Sequence, residues 1–174
     1  MRIRNVAFGA LAALVLAEPA GASPFGISQG TPISSLKIVR KLSPRSFEVS
    51  PTVKNRNFDL YEVFAAPPSG VCAISAYTPA GTPETASDNF RQIVRLYGVY
   101  GRNHTVKTGR RSDLLNLRPS DFPREWSEKL PHNLASIVVE IVKVNDQHRV
   151  EVNYTFRNIR RCNDWGLNLD RTGI

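Results

Sequence analysis

The side chains able to do chemistry are few and dispersed. His104, His132 and His148 stand in no H-x-x-x-H or H-x-x-E-H spacing, so the pattern that places two imidazoles on one metal is missing. Neither a G-x-S-x-G nucleophile elbow nor a phosphate-cradling glycine loop occurs. One acid–base set can be assembled: His148 or His104 with Glu151 as general acid and base, and Arg149 or Arg157 to hold a phosphate, as a small secreted nuclease would need. Glu151 and Arg149 are two residues apart in a strand-like run and so share one face of it. Each histidine reads more simply as an exposed loop residue, and we assign no catalytic residue, metal or cofactor.

Cys72, in "GVCAISA", and Cys162, in "RRCNDW", are the remaining reactive groups. A catalytic thiolate wants an electropositive, partly exposed setting with a base in reach, whereas "GVCAISA" reads as a strand interior. No C-x-x-C spacing is present, and two cysteines in an exported chain are expected to pair with each other. A Cys72–Cys162 bridge would close a loop of about 90 residues, for which chain entropy predicts about 4–5 kcal/mol before strain is subtracted.

Export is itself read from the first residues. "MRIRNVAFGALAALVLAEPAGAS" has a basic tip with Arg2 and Arg4, an apolar run from Val6 to Ala17, and a small-residue end, Ala20-Gly21-Ala22. That is the layout of a signal peptide over residues 1–22, cleaved after Ala22 to leave Ser23 as the new N-terminus. The run is too short to span a bilayer, no later segment is apolar for long enough, and no cysteine near the cleavage point could carry a lipid. The expected location is the periplasm or the medium. Residues 23–174 suit one domain of ordinary size.

The elements that must position these residues follow from periodicity. "GTPISSLKIVRKL", residues 30–42, predicts a short amphipathic helix with Thr31 as N-cap, Pro32 at the first helical position, and Ile33, Leu36, Val39 and Leu42 on one stripe. "SFEVSPTV" reads as a short extended piece broken at Pro51. "FDLYEVFA" and "GVCAISAYT" read as a hairpin around the turn "APPSG". "SDNFRQIVRLYG", residues 87–98, predicts a helix capped by Ser87 and Asp88, striped with Phe90, Ile93, Val94 and Tyr97, and stopped at Gly98.

The stretch that follows, "VYGRNHTVKTGRRSD", is basic and reads as a loop or loose hairpin. "PSDFPREWSEKL", residues 119–130, is expected to form one or two helical turns with Trp126 and Leu130 inward, ended by Pro131. "LASIVVEIVKVN" predicts a central strand covered on both faces. "RVEVNYTFRN" alternates, with Val150, Val152, Tyr154 and Phe156 toward a core and Arg149, Glu151, Asn153, Thr155 and Arg157 toward water. This order predicts a single α+β domain whose mainly antiparallel sheet carries helices packed on one face, with one disulfide.

Three of these segments carry a resemblance. "YEVFAAPPSGVCAISAYT", the helix ending "IVRLYG", and "VEVNYTFRNIRRC" together resemble a family of uncharacterised exported proteins of Gram-negative bacteria. A GLCxIxA-like strand, a helix ending in Tyr-Gly, and a final Y-x-F-x-N strand followed by a cysteine recur in that family in this order. Cys72 and Cys162 fall on its cysteine positions, and Tyr154, Phe156 and Asn158 on its final-strand motif. The basic region from Arg102 to Pro131 departs from it. The resemblance implies fold and compartment, and no activity.

Charge supplies the binding candidates. The chain carries 23 Lys and Arg against 15 Asp and Glu, a formal +8, and loss of Arg2, Arg4 and Glu18 with the leader would lower this by one. Such an excess favours anionic envelope components or an acidic protein, with nucleic acid ranked below them. Arg157, Arg160 and Arg161 border Cys162, so the bridge would anchor them better than the loop holding Arg110 and Arg111. Lys37, Arg40 and Lys41 form a second candidate patch. The expected role is a non-catalytic binding protein of the envelope, with a nuclease-like hydrolase or an inhibitor of an envelope or foreign enzyme as alternatives.

Overall fold

The computed structural model describes residues 23–106 and 122–164. The expected leader over residues 1–22, the cleavage expected after Ala22, and Arg110 and Arg111 fall on or border residues outside the described ones. Alternation builds most of what is described. Strands β1 (Ile38–Lys41), β2 (Ser46–Val49), β3 (Leu60–Ala66), β4 (Gly70–Tyr77), β5 (His104–Thr105), β6 (Arg124–Trp126), β7 (Leu134–Val144) and β8 (Gln147–Phe156) form one 8-stranded sheet. Every pairing is antiparallel, and the order is β1-β2-β3-β4-β8-β7-β6-β5.

The final strand follows its sequence pattern residue by residue. Val150, Val152, Tyr154 and Phe156 are buried, while Arg149, Glu151, Asn153 and Thr155 are half-buried on the opposite face. Through the register Ile74↔Tyr154 and Ile137↔Tyr154, the inward set of β8 meets the inward sets of β4 and β7. Val63, Ile74, Ile137, Val139, Val150 and Val152 belong to one core cluster, to which the helix α1 (Pro83–Leu96) adds Ala86, Phe90 and Ile93. The Tyr97 hydroxyl, one step beyond α1, hydrogen-bonds the Tyr154 hydroxyl of β8, and burial pushes Tyr97 up to about 12.

Helix α1 begins one turn earlier than Ser87 and Asp88. Thr82 is its N-cap, accepting a hydrogen bond from the Thr85 N–H at 3.2 Å, and Pro83 occupies the first turn, where its missing N–H costs nothing. The helix ends at Leu96 and tightens into a 3-10 turn over Tyr97–Tyr100, so the chain turns away at Gly101 rather than Gly98.

The helix expected over residues 30–42 does not form. One 3-10 turn, Ile33–Ser35, is followed by extended backbone and β1. Gly30 donates its N–H to the Val71 carbonyl at 2.9 Å, and the Thr31 carbonyl accepts from the Val71 N–H at 2.9 Å. The start of the segment is thereby tied to the sheet, and Ile38 to Lys41 complete β2 as an edge strand. Ile38 and Val39 are branched at Cβ, which favours that outcome over a helix. The approach of this segment requires a glycine at position 70: its φ is +62°, and a Cβ there would sit 2.2 Å from the Gly30 carbonyl oxygen.

Two further expectations are corrected. Residues 124–126 are strand β6 rather than helix, because Arg124, Glu125 and Trp126 pair with Val139, Val138 and Ile137. Trp126 still points inward and is fully buried. Strand β7 is interior to the sheet, yet only one of its faces is fully covered: Ile137, Val139 and Ile141 are buried, while Ser136, Val138 and Glu140 are half-buried.

Candidate functional site

Cys72 of β4 and Cys162 of the helical residues 159–164 are disulfide-bonded, with Cα atoms 6.4 Å apart and a sequence separation of 90. Both are fully buried in a small cluster with Ala66, against which Phe64 and Ile159 pack. Asn158 reinforces the junction, its Nδ2 donating to the carbonyls of Ser69 at 3.2 Å and Val71 at 3.1 Å. Arg45, which no pattern in the sequence marks, reaches the same place. Its Nη1 donates to the Cys162 carbonyl at 3.1 Å, and its guanidinium lies 5.0 Å from the centroid of the Phe64 ring. Ser43 Oγ accepts from the N–H groups of Arg45 and Ser46, which shapes the β1–β2 turn that carries Arg45.

On this base stand the predicted arginines. Arg157, Arg160 and Arg161 are exposed. Arg157 is held by its Nε, which donates to the His132 carbonyl at 2.6 Å, and by its backbone N–H, which donates to the Asn133 carbonyl at 3.0 Å. The Arg161 N–H donates to the Asn158 carbonyl at 3.0 Å. Lys37, just before β1, and Arg40 and Lys41 within it are exposed, but Arg40 forms an ion pair with Glu48 at 2.8 Å, so its charge is already matched. Lys41 leads into the turn with Arg45, whose bond to the Cys162 carbonyl ties that turn to the segment carrying Arg160 and Arg161.

The acid–base set is not assembled. His148 shares a face with Val150, and Glu151 shares the opposite face with Arg149, so the period of two points them apart. His104 lies on edge strand β5 and contacts Glu125 at 3.2 Å, three strand spacings, roughly 14 Å, from β8. Glu151 instead accepts from Ser75 Oγ at 2.8 Å, Ser75 accepts from Asn153 Nδ2 at 2.9 Å, and Thr155 donates to Asn153 Oδ1 at 3.0 Å. Beside this chain burial raises Glu62, and the charge of Glu151 raises it further. The Tyr77 hydroxyl donates to Glu62 at 3.4 Å and is raised by burial and then by Glu151. Among the described residues, no group of three or more His, Cys, Asp and Glu could hold a metal ion.

A second basic feature escaped the sequence reading. Arg91 and Arg95 of α1, Asn103 and Arg124 of β6 line a depression of about 360 Å³ together with Phe90 and Val94. The i, i+4 spacing of Arg91 and Arg95 was visible as the polar flank of a helix. Arg124 joins them only because β6 pairs at the sheet edge. No family model, curated protein or solved structure matches this chain.

Proposed function

We propose that the chain is an exported, non-catalytic binding protein of the bacterial envelope that meets an anionic partner through Arg157, Arg160 and Arg161, with Lys41 and Arg45 beside them. In this reading the helical layer occupies only the face bearing Phe90 and Ile93, and binding falls to the rim of the sheet. The observation that carries it is the anchoring of the arginines' base by the Cys72–Cys162 bridge and by the Arg45 bond to the Cys162 carbonyl. An arginine on a held backbone loses less freedom on meeting a carboxylate or phosphate than one on a loose tail. Its planar fork also suits bidentate contact with either group.

The leader-like start, the disulfide and the resemblance to exported proteins support the compartment. No helix among the described residues is long and apolar enough to cross a membrane. The hydrolase reading loses its acid–base pair to the opposed faces of β8, whereas an acidic enzyme as partner would make the chain an inhibitor. The test compares wild type with an Arg157→Ala/Arg160→Ala/Arg161→Ala protein of equal melting temperature in capture from envelope extract at low and moderate salt. We expect partners that weaken with salt and are lost in the variant. Equal capture by both proteins would sink the reading.

A further inference from the structure

We propose that the depression between α1 and the β5–β6 edge binds a small organic phosphate monoester. It lies by β6, two strands from β8 and the disulfide-anchored arginines that follow it, and it has a different construction.

Arg91, Arg95 and Arg124 line one depression with Asn103, and among the described residues no carboxylate lines it. Asp88 pairs with Arg91 from outside the depression, so its described lining carries a net charge equivalent to two arginines. That balance matches a dianion such as a phosphate monoester better than a singly charged carboxylate or phosphodiester.

Two of the three are already held in place. Arg91 donates from Nη1 to Ser87 Oγ at 2.8 Å, and Arg124 donates from Nη1 to Thr105 Oγ1 at 2.8 Å. Forks fixed in this way form charge-assisted bonds at little further ordering cost. A volume of about 360 Å³ exceeds what a bare phosphate fills and falls in the range of small-molecule sites. Phe90 and Val94 supply an apolar wall for the carbon part of the ligand. A soluble phosphate ester and a lipid headgroup ending in a phosphate monoester share this chemistry.

The experiment titrates the purified chain with glycerol 3-phosphate by calorimetry at low salt, with glycerol as the uncharged control. A parallel arm measures sedimentation with phosphatidylcholine vesicles containing phosphatidic acid or phosphatidylglycerol. We expect saturable binding of glycerol 3-phosphate, weakened about tenfold or more by Arg95→Ala and by Arg124→Ala. Arg157→Ala/Arg160→Ala/Arg161→Ala should leave it unchanged, which separates this site from the proposed envelope contact. Preferential capture by phosphatidic acid vesicles, lost in the same two variants, identifies a headgroup as the source; binding of the soluble ester alone identifies a free metabolite. Arg95 is exposed, so Arg95→Ala carries the test if Arg124→Ala fails to fold by circular dichroism. Absence of saturable binding in both arms, or binding that Arg95→Ala leaves intact, overturns the proposal.

Discussion

Arg45 Nη1 donates to the carbonyl of Cys162 at 3.1 Å, across 117 residues of chain, and so ties the β1–β2 turn to the helical residues that carry Arg160 and Arg161. Removing the guanidinium leaves that carbonyl without this donor and uncovers the Phe64 ring. We expect Arg45→Ala to cost about 1 kcal/mol, the scale of a partly exposed charge-assisted bond. Limited trypsin digestion should cut at Arg157, Arg160 and Arg161 faster than in wild type. An unchanged digestion rate would show that the disulfide and the bonds of Asn158 and Arg157 hold the segment without Arg45.

The bridge closes most of the described chain. Cys72→Ser/Cys162→Ser should lower stability by about 2–5 kcal/mol, read as a lower denaturant midpoint under oxidising conditions. The loss should disappear when both proteins are measured in reductant. In the native wild type, a thiol reagent should label neither cysteine.

Glu62 faces Glu48 directly across β2 and β3, and its pKa is raised first by burial and next by Glu151. A carboxyl whose folded pKa lies above its unfolded value binds the proton more tightly when folded. Its favourable contribution is therefore complete below the unfolded pKa and is lost as pH rises through the folded one. Glu62→Gln should stabilise the protein at neutral pH by about 0.5 kcal/mol, the size of one cross-strand pair. Thermal melts of both proteins should converge as pH falls through the carboxylate range.

Thr82, rather than Ser87 or Asp88, caps α1. Thr82→Ala should cost about 1 kcal/mol in a urea titration. Ser87→Ala should cost less, because Ser87 lies within the helix and accepts from Arg91 on its surface.

If the first residues are a leader, N-terminal sequencing of exported protein should begin at Ser23. Protein retaining Met1 in the periplasmic fraction would contradict the cleavage expected after Ala22.

Local periodicity was enough wherever a segment's pattern and its place in the sheet agree. The alternation from Arg149 to Phe156 names the buried face of β8, and the stripe of Phe90 and Ile93 names that of α1, because burial simply follows those periods. The expected export and the count of two cysteines likewise implied their pairing before any distance was known. Gly-Thr-Pro shows where local signals stop: it occurs at residues 30–32 and again at 81–83, and only the second copy opens an α-helix. After Pro83 the helix can bury Phe90 and Ile93 against β7 and β8. After Pro32 the same start is overruled by the backbone bonds of Gly30 and Thr31 to Val71 and by the open edge of β2. Trp126 was legible as buried but not as strand, since a single large side chain points inward from either backbone, and only Ile137 of β7 supplies its register. Arg157, Arg160 and Arg161 were named from their place beside Cys162, but which other basic residues join each cluster was decided by tertiary structure for the same reason. Arg45 meets Cys162, and Arg124 meets Arg91 and Arg95, through long-range pairings that no local window of sequence contains.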